Sequence, residues 1–209
     1  MYKRQDPNST NPYQLTEADR TVIGNTTPKF SGGFGLNATY KGFDMSMFFN
    51  FMYDFDVLNA NKIMLTTWAD NKENNFLMDI ASDKRWRNFD DMGNEIRYSP
   101  EVLAEFNKNA TMWNPTSIGR PICMSYAVED GSFLRLNSAT LGYTLPSVWT
   151  KKVGLSKVRF YVSGNNLFTL TGYSGYDPEV NIATGLTPNI DYNRYPRSRT
   201  YTFGAQLTF

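Results

Sequence analysis

Apolar residues alternate with small or polar ones at a period of two in five segments of the chain. That period places successive side chains on opposite faces of an extended strand, so it predicts β-structure. In FSGGFGLNATY, Phe34, Leu36, Ala38 and Tyr40 share one face, opposite Gly35, Asn37 and Thr39. After a break at Lys41-Gly42, FDMSMFFNFMY sets Phe43, Met45, Met47, Phe49, Phe51 and Tyr53 against Asp44, Ser46, Phe48, Asn50 and Met52. So short a break between two alternating runs predicts a hairpin with a tight turn. The third segment, FLRLNSATLGYTL, alternates cleanly in its second half, but Leu134 and Leu136 share the parity of the polar set. A bulge, or emergence of the strand from apolar surroundings, accounts for this equally well. The fourth, VRFYVSGNNLFTLTGY, opposes Val158, Phe160, Val162 and Gly164 to Arg159, Tyr161, Ser163 and Asn165. The fifth, RTYTFGAQLTF, sets Tyr201, Phe203, Ala205, Leu207 and Phe209 against Thr200, Thr202, Gly204, Gln206 and Thr208.

These patterns place strands at about 29–40, 43–54, 133–145, 158–169 and 199–209, after an entering loop over 1–28. The connections between them run short, long, short, long, with long ones at about 55–131 and 172–196. The first carries a helical signal at SPEVLAEFNKN, where Ser99 suits a cap and Pro100 the first helical position. In an antiparallel order all short turns then fall at one end and all long loops at the other. Strands of roughly 10 residues, apolar outside and small or polar inside, with that asymmetry, describe an outer-membrane β-barrel. The fold expected is therefore all-β, an antiparallel transmembrane barrel of which only five strands are present. A soluble antiparallel β-protein that binds carbohydrate through loop aromatics is the alternative. Five strands cannot close a barrel, since such barrels need about 8 or more. The opening MYKRQDPNSTNPY has no apolar core of an export signal. Both points lead to the expectation of the C-terminal part of a longer chain.

Composition narrows the chemistry. There is no histidine, which removes imidazole acid–base chemistry, and a single cysteine, Cys123, which forms no internal disulfide. A net charge of +1 offers no footprint for nucleic acid. The adjacent carboxylates Asp90-Asp91 and Glu129-Asp130 have no nucleophile or base nearby in sequence and read as solvated loops. No enzymatic activity, cofactor or metal is expected. No apolar run reaches the roughly 18 residues a membrane helix needs, which leaves strands as the only way across.

Four blocks resemble one family, the SusC/RagA-type TonB-dependent transporters of Bacteroidetes outer membranes. They are ADRTVIGNTTPKFSGGFGLNATYKGFDMSMFF (18–49), VEDGSFLRLNSATLGYTLP (128–146), VRFYVSGNNLFTLTGYSGYDPEV (158–180) and YPRSRTYTFGAQLTF (195–209). They fall in the order and spacing of that family's C-terminal barrel region; the loop at about 57–122 looks specific to this protein. The resemblance implies the final five strands of a 22-stranded, plugged barrel, short turns periplasmic and long loops outside the cell. It further implies import of oligosaccharides or peptides with a SusD-like surface lipoprotein, energised through TonB. The plug domain through which TonB acts would lie N-terminal, outside this sequence.

Candidate residues follow from these readings. The calcium-loop-like run DPNSTNPYQLTEADR has Asp6, Asn8 and Glu17 at ligand-like offsets, but Asn11 stands where the turn glycine belongs and Pro12 follows. A solvated loop is expected there. Trp68, Trp86 and Trp113 in the protein-specific loop are candidates for solute or lipoprotein contact, with a small satellite core as the other reading. In GYSGYDPEV, Tyr173, Tyr176 and Asp177 suit a sugar-binding platform, although loop packing explains them as well. Arg159, Tyr161, Asn165 and Gln206 have lumen-facing parity. An arginine on the lipid face at mid-bilayer costs ~2–4 kcal/mol, which places Arg159 inside. Tyr201, Phe203, Gly204, Leu207 and Phe209 fit the signal by which the barrel-assembly machinery recognises a terminal strand through strand pairing.

Overall fold

Lys41 and Gly42 both take positive φ, 45° and 90°, and so close the first hairpin with the two-residue turn that suits twisted strands. A Cβ on residue 42 would sit 2.8 Å from the Thr144 carbonyl oxygen, so the turn needs glycine for space as well as for φ. This hairpin opens the computed structural model, which describes residues 21–67, 75–80, 84–115, 123–180 and 189–209. In chain order the strands are β1 (Phe30–Tyr40), β2 (Phe43–Tyr53), β3 (Asp56–Asn59), β4 (Val128–Asp130), β5 (Phe133–Thr144), β6 (Lys157–Thr171), β7 (Ile190–Asp191) and β8 (Thr200–Thr208). Five of them form one antiparallel sheet in the order β1-β2-β5-β6-β8, and the three short ones form a second, β4-β3-β7. The chain divides into two compact units: one holds Gly24–Leu58 and Val128–Phe209, the other Asn59–Ala127.

Register makes one face of the large sheet continuously apolar. Tyr40 pairs with Phe43, Phe43 with Tyr143, Tyr143 with Phe160, and Phe160 with Ala205. The next row runs Ala38, Met45, Leu141, Val162, Phe203, and the next Leu36, Met47, Ala139, Gly164, Tyr201. Beyond these lie Phe34, Phe49, Leu136 and Phe168, with Phe34 and Phe49 stacked at 4.9 Å. Aromatic rings thus gather in the rows near both ends, while the middle rows are mostly aliphatic. Leu141, Phe160, Phe203 and Leu207 are exposed, and no second sheet covers them among the described residues.

The parity break in β5 is a bulge. Between the rows of Met47 and Phe49, β5 takes three steps, from Ala139 to Leu136, where β2 takes two. One extra residue shifts the parity, and that shift brings Leu136 opposite Phe49 and Leu134 opposite Phe51. Over the same stretch β6 takes four steps, from Gly164 to Phe168, with Asn166 in the left-handed region at φ 53°. Two extra residues restore parity, so β6 reads as an unbroken alternation although it carries the larger irregularity.

The three-stranded sheet sits at the long-connection end. Its core is Phe55, Val57, Phe133, Tyr173 and Val180, with Met52 packed beside it. Met52 and Phe133 pair directly and belong to the polar parity of β2 and β5. The connections therefore build their core over the polar face of the large sheet.

The second unit contains α1 (Ala60–Met64) and α2 (Pro100–Asn107). Pro100 does open α2, but the Ser99 side chain makes no cap hydrogen bond, contrary to expectation. The far end is held by Asn107, whose amide donates to the carbonyls of Leu103 (2.8 Å) and Arg87 (2.9 Å) and accepts from the Arg87 N–H (2.6 Å). No described helix is long and apolar enough to cross a membrane, which says nothing of strands.

Candidate functional site

Arg159, Tyr161 and Asn165 lie on the polar face, paired with Thr144, Gly142 and Ser138, and Gln206 joins them there as the β8 partner of Arg159. Arg159 reaches across β5 to β2, where its Nε and Nη2 donate to the two oxygens of Asp44 at 2.9 and 2.5 Å. Such a bidentate fork fixes direction as well as distance. Gly142 makes the crossing possible: a Cβ there would stand 2.6 Å from both Arg159 Nε and Asp44 Oδ1. The Arg159 guanidinium also lies 5.2 Å from the centre of the Tyr161 ring, which in turn covers Gly204. Side chains on the polar face near the short-turn end thereby tie β6 to β2 across β5 and cover β8. Gly142→Val is expected to displace the guanidinium and cost about 1–3 kcal/mol, as overpacking does. Denaturant midpoints of the two proteins measure this.

A second cluster closes the long-connection end. Arg135, on the polar parity of β5, is buried and donates through Nη2 to Asp177 at 2.5 Å, with Glu179 at 3.7 Å. Arg197 completes the set at 2.9 Å from Glu179 and 3.8 Å from Asp177. Asp177 also accepts from the Glu179 N–H at 2.9 Å, forming a local turn around the buried Pro178. Tyr173 is buried, and its hydroxyl donates to Asp191 at 2.7 Å. Burial, then the Asp191 carboxylate, push this phenol well above the ordinary tyrosine range.

A raised phenol pKa means the folded state holds its proton where the unfolded state releases it. The associated stability is complete below about pH 10 and falls as pH rises beyond that value. Tyr173→Phe should flatten this alkaline loss while lowering neutral-pH stability by about 1 kcal/mol, the worth of one hydrogen bond. Thermal melts across the alkaline range measure both effects.

The platform reading of GYSGYDPEV is therefore corrected for two of its three residues. Tyr173 and Asp177 are consumed by packing and ion pairing, and only Tyr176 stands exposed. Glu129 and Asp130 lie in β4 rather than in a loop, Asp130 exposed and Glu129 half-buried, and both accept hydrogen bonds. Glu129 accepts from the Ser174 N–H and hydroxyl at 3.0 and 2.9 Å, and Asp130 from the Ser132 N–H and hydroxyl. Asp90 accepts from the N–H groups of Met92 and Asn94, and Asp91 pairs with Arg87 at 2.6 Å. Beside the Arg135 cluster lies a cleft of about 250 Å³, lined by Met52, Phe55, Pro178, Glu179, Asn189 and Arg197 among others. That falls short of the roughly 300–1,000 Å³ typical of a small-molecule site.

In the second unit Trp113 is half-buried. Its indole N–H donates to the Thr66 carbonyl at 3.0 Å, and its ring meets Tyr126 edge-on at 5.2 Å. Tyr126 donates to Asp79 at 2.6 Å. This is the satellite core under a long loop. Trp86 is also half-buried, its backbone N–H donating at 2.8 Å to the carbonyl of Met112, the residue before Trp113. Trp68 and the calcium-loop-like run at 6–17 lie outside the described residues. No cluster of metal-ligating side chains occurs among the described residues.

No family model matches the chain. Individual proteins do. The chain is 35% identical over 202 residues to TonB-dependent receptor P3 of Formosa agariphila, a match covering 94% of this chain and 18% of that protein. It is 38% identical over 88 residues to TonB-dependent receptor SusC of Bacteroides thetaiotaomicron, covering 40% of this chain and 8% of SusC. In solved structures it superposes on the RagAB peptide importer in its open-open state with a TM-score of 0.68 at 26% identity, over 94% of this chain and 19% of that one. The closed-closed state gives 0.69. Over nearly all of its length the chain is similar to TonB-dependent receptors of the SusC/RagA type. It spans less than a fifth of the length of TonB-dependent receptor P3. The proteins it resembles are named as receptors and importers, not as enzymes.

Within this receptor frame, Tyr201, Phe203 and Leu207 line the apolar side of β8 and are exposed, as is Phe209 just beyond it. Gly204 lies on the other face under Tyr161.

Proposed function

We propose that the chain is barrel wall and outer loop of an outer-membrane importer, its C-terminal portion, with the polar face lining the lumen. The single observation that carries the reading is the uncovered apolar face with aromatic rows toward both ends. From Tyr40 to Phe30 the strand rises ~33 Å, and at a tilt of ~40° that is a band ~25 Å tall, the height of a barrel's lipid-facing belt. Closed pairing of the β1 and β8 edges with further strands completes the wall, because an open edge cannot face lipid. The solute is an oligosaccharide or a peptide, the latter favoured by likeness to a peptide importer. A SusD-like lipoprotein at the outer mouth, TonB acting through a plug outside this sequence, and recognition of β8 by the barrel-assembly machinery belong to the same proposal.

The test is made on the full-length protein in its own cells. It should fractionate with the outer membrane and co-purify with a surface lipoprotein, and deletion of its gene should abolish uptake of one class of labelled oligosaccharide or peptide. Recovery of the full-length protein in the soluble fraction would sink the reading.

A further inference from the structure

The β5–β6 connection is short, yet it carries α3 (Ser147–Thr150) and one further turn of 3-10 helix at Lys151–Val153, closed by Gly154 at φ 76°. Which side of the sheet it occupies is decided by Val158. That residue pairs with Leu207 on the apolar face, and its carbonyl accepts from the N–H of Leu145, the last apolar-parity residue of the clean run. Val158 is 5% exposed, whereas Phe160 and Leu207 on the same face are each 51% exposed. Val158 is therefore covered on that face where its neighbours Phe160 and Leu207 are not, and α3 is the helix in contact with β6. Thr150, the buried residue of α3, is the side it turns inward.

The outward side of this turn is unlike an ordinary solvent-facing loop. Val148, Trp149 and Val153 are 61–71% exposed, in a segment that also offers Lys151 and Lys152. Lys41, in the neighbouring hairpin turn, lies with its Nζ 5.2 Å over the Tyr40 ring, and Lys157 is exposed at the start of β6. Against these four lysines, the stretches 39–44 and 144–159 contain one carboxylate, Asp44, already held by Arg159. The short-turn end is thus basic, and it lies just past the aromatic row of Tyr40, Phe43, Tyr143 and Phe160.

We infer that the Ser147–Val153 turn is an interfacial anchor that binds phospholipid headgroups. Trp149, Val148 and Val153 enter the boundary between headgroups and acyl chains, and the lysines contact phosphate. An amphipathic tryptophan and long-stemmed lysines suit that layer because each has an apolar body and a polar tip. The occupant is lipid rather than protein because the turn lies on the same face as the uncovered apolar band and continues it. This inference rests on the membrane reading proposed above.

The test uses the full-length protein in phosphatidylethanolamine/phosphatidylglycerol nanodiscs, with native cysteines replaced and an environment-sensitive fluorophore at Val153→Cys or Leu141→Cys. Lipids carrying a quencher near the headgroup or at the chain end report depth. Leu141→Cys should be quenched best from the chain end, and Val153→Cys at least ~2-fold by the shallow quencher alone. The Lys151→Glu/Lys152→Glu pair should weaken that shallow quenching. Quenching at Leu141 with none at Val153, or deep quenching at Val153, overturns the anchor and leaves the barrel standing. No quenching at Leu141 overturns the barrel reading and the anchor with it.

Discussion

Arg135→Ala is expected to loosen the Gly172–Val180 segment by about 3–5 kcal/mol, the usual consequence of stranding one side of a buried ion pair. In amide exchange that is roughly a hundred- to several-thousandfold loss of protection. Arg135 is 2% exposed, and its removal leaves the buried Asp177 beside the partly exposed Glu179, two carboxylates without their buried cation. Arg197 is the only other cation within 4 Å of these carboxylates among the described residues, and it already serves Glu179 at 2.9 Å. Its 40% exposed side chain is a weaker partner than the buried Arg135, so compensation should move the result toward the lower end. Replacing Arg135 by Met together with Asp177 by Leu should recover most of the loss, because a buried pair exchanged for apolar volume is often neutral. Unchanged protection in Arg135→Ala would mean that water already reaches the cluster.

This cluster shows where sequence reading stops. The strands were legible because a period of two needs only local information: Phe43 to Tyr53 alternate whether or not their partners are known. The break at Leu134 and Leu136 was legible as an anomaly, and only pairing with β2 identified it as a bulge. The wider irregularity in β6 left no trace, since two extra residues restore parity. The role of Arg159 was half legible. Its parity placed it on the polar face, but Asp44 lies 115 positions away and only the glycine at 142 lets them meet. Tyr173 and Asp177 fit both a binding platform and a packed turn in the sequence, for the same reason. An aromatic beside a carboxylate looks alike in a binding platform and in a packed turn, and what separates them is Arg135 and Asp191, each distant in sequence. Trp113 was weighed both ways, and a backbone carbonyl at Thr66 decides for packing.

Leu141→Arg should separate the two architectures that this alternation permits. Leu141 stands in the middle of the apolar face, between Met45 and Val162, and is 48% exposed. In a soluble β-protein such a position already meets water, and an arginine there should change stability by no more than about 0.5 kcal/mol. In a membrane wall the same substitution puts a guanidinium near mid-bilayer and costs ~2–4 kcal/mol. Thr140→Arg is the matched control: one residue away, it projects to the opposite face between Ser46 and Ser163. A hydrated lumen should accept it with little loss, whereas a soluble sheet should treat the two arginines alike. The readout is the fraction of full-length protein assembled in the outer membrane, together with urea unfolding in bilayers. A marked deficit in Leu141→Arg with near-normal assembly in Thr140→Arg assigns lipid to one face and water to the other. Equal tolerance of both would remove the membrane from the account, because only a low-dielectric solvent distinguishes an arginine at 141 from one at 140.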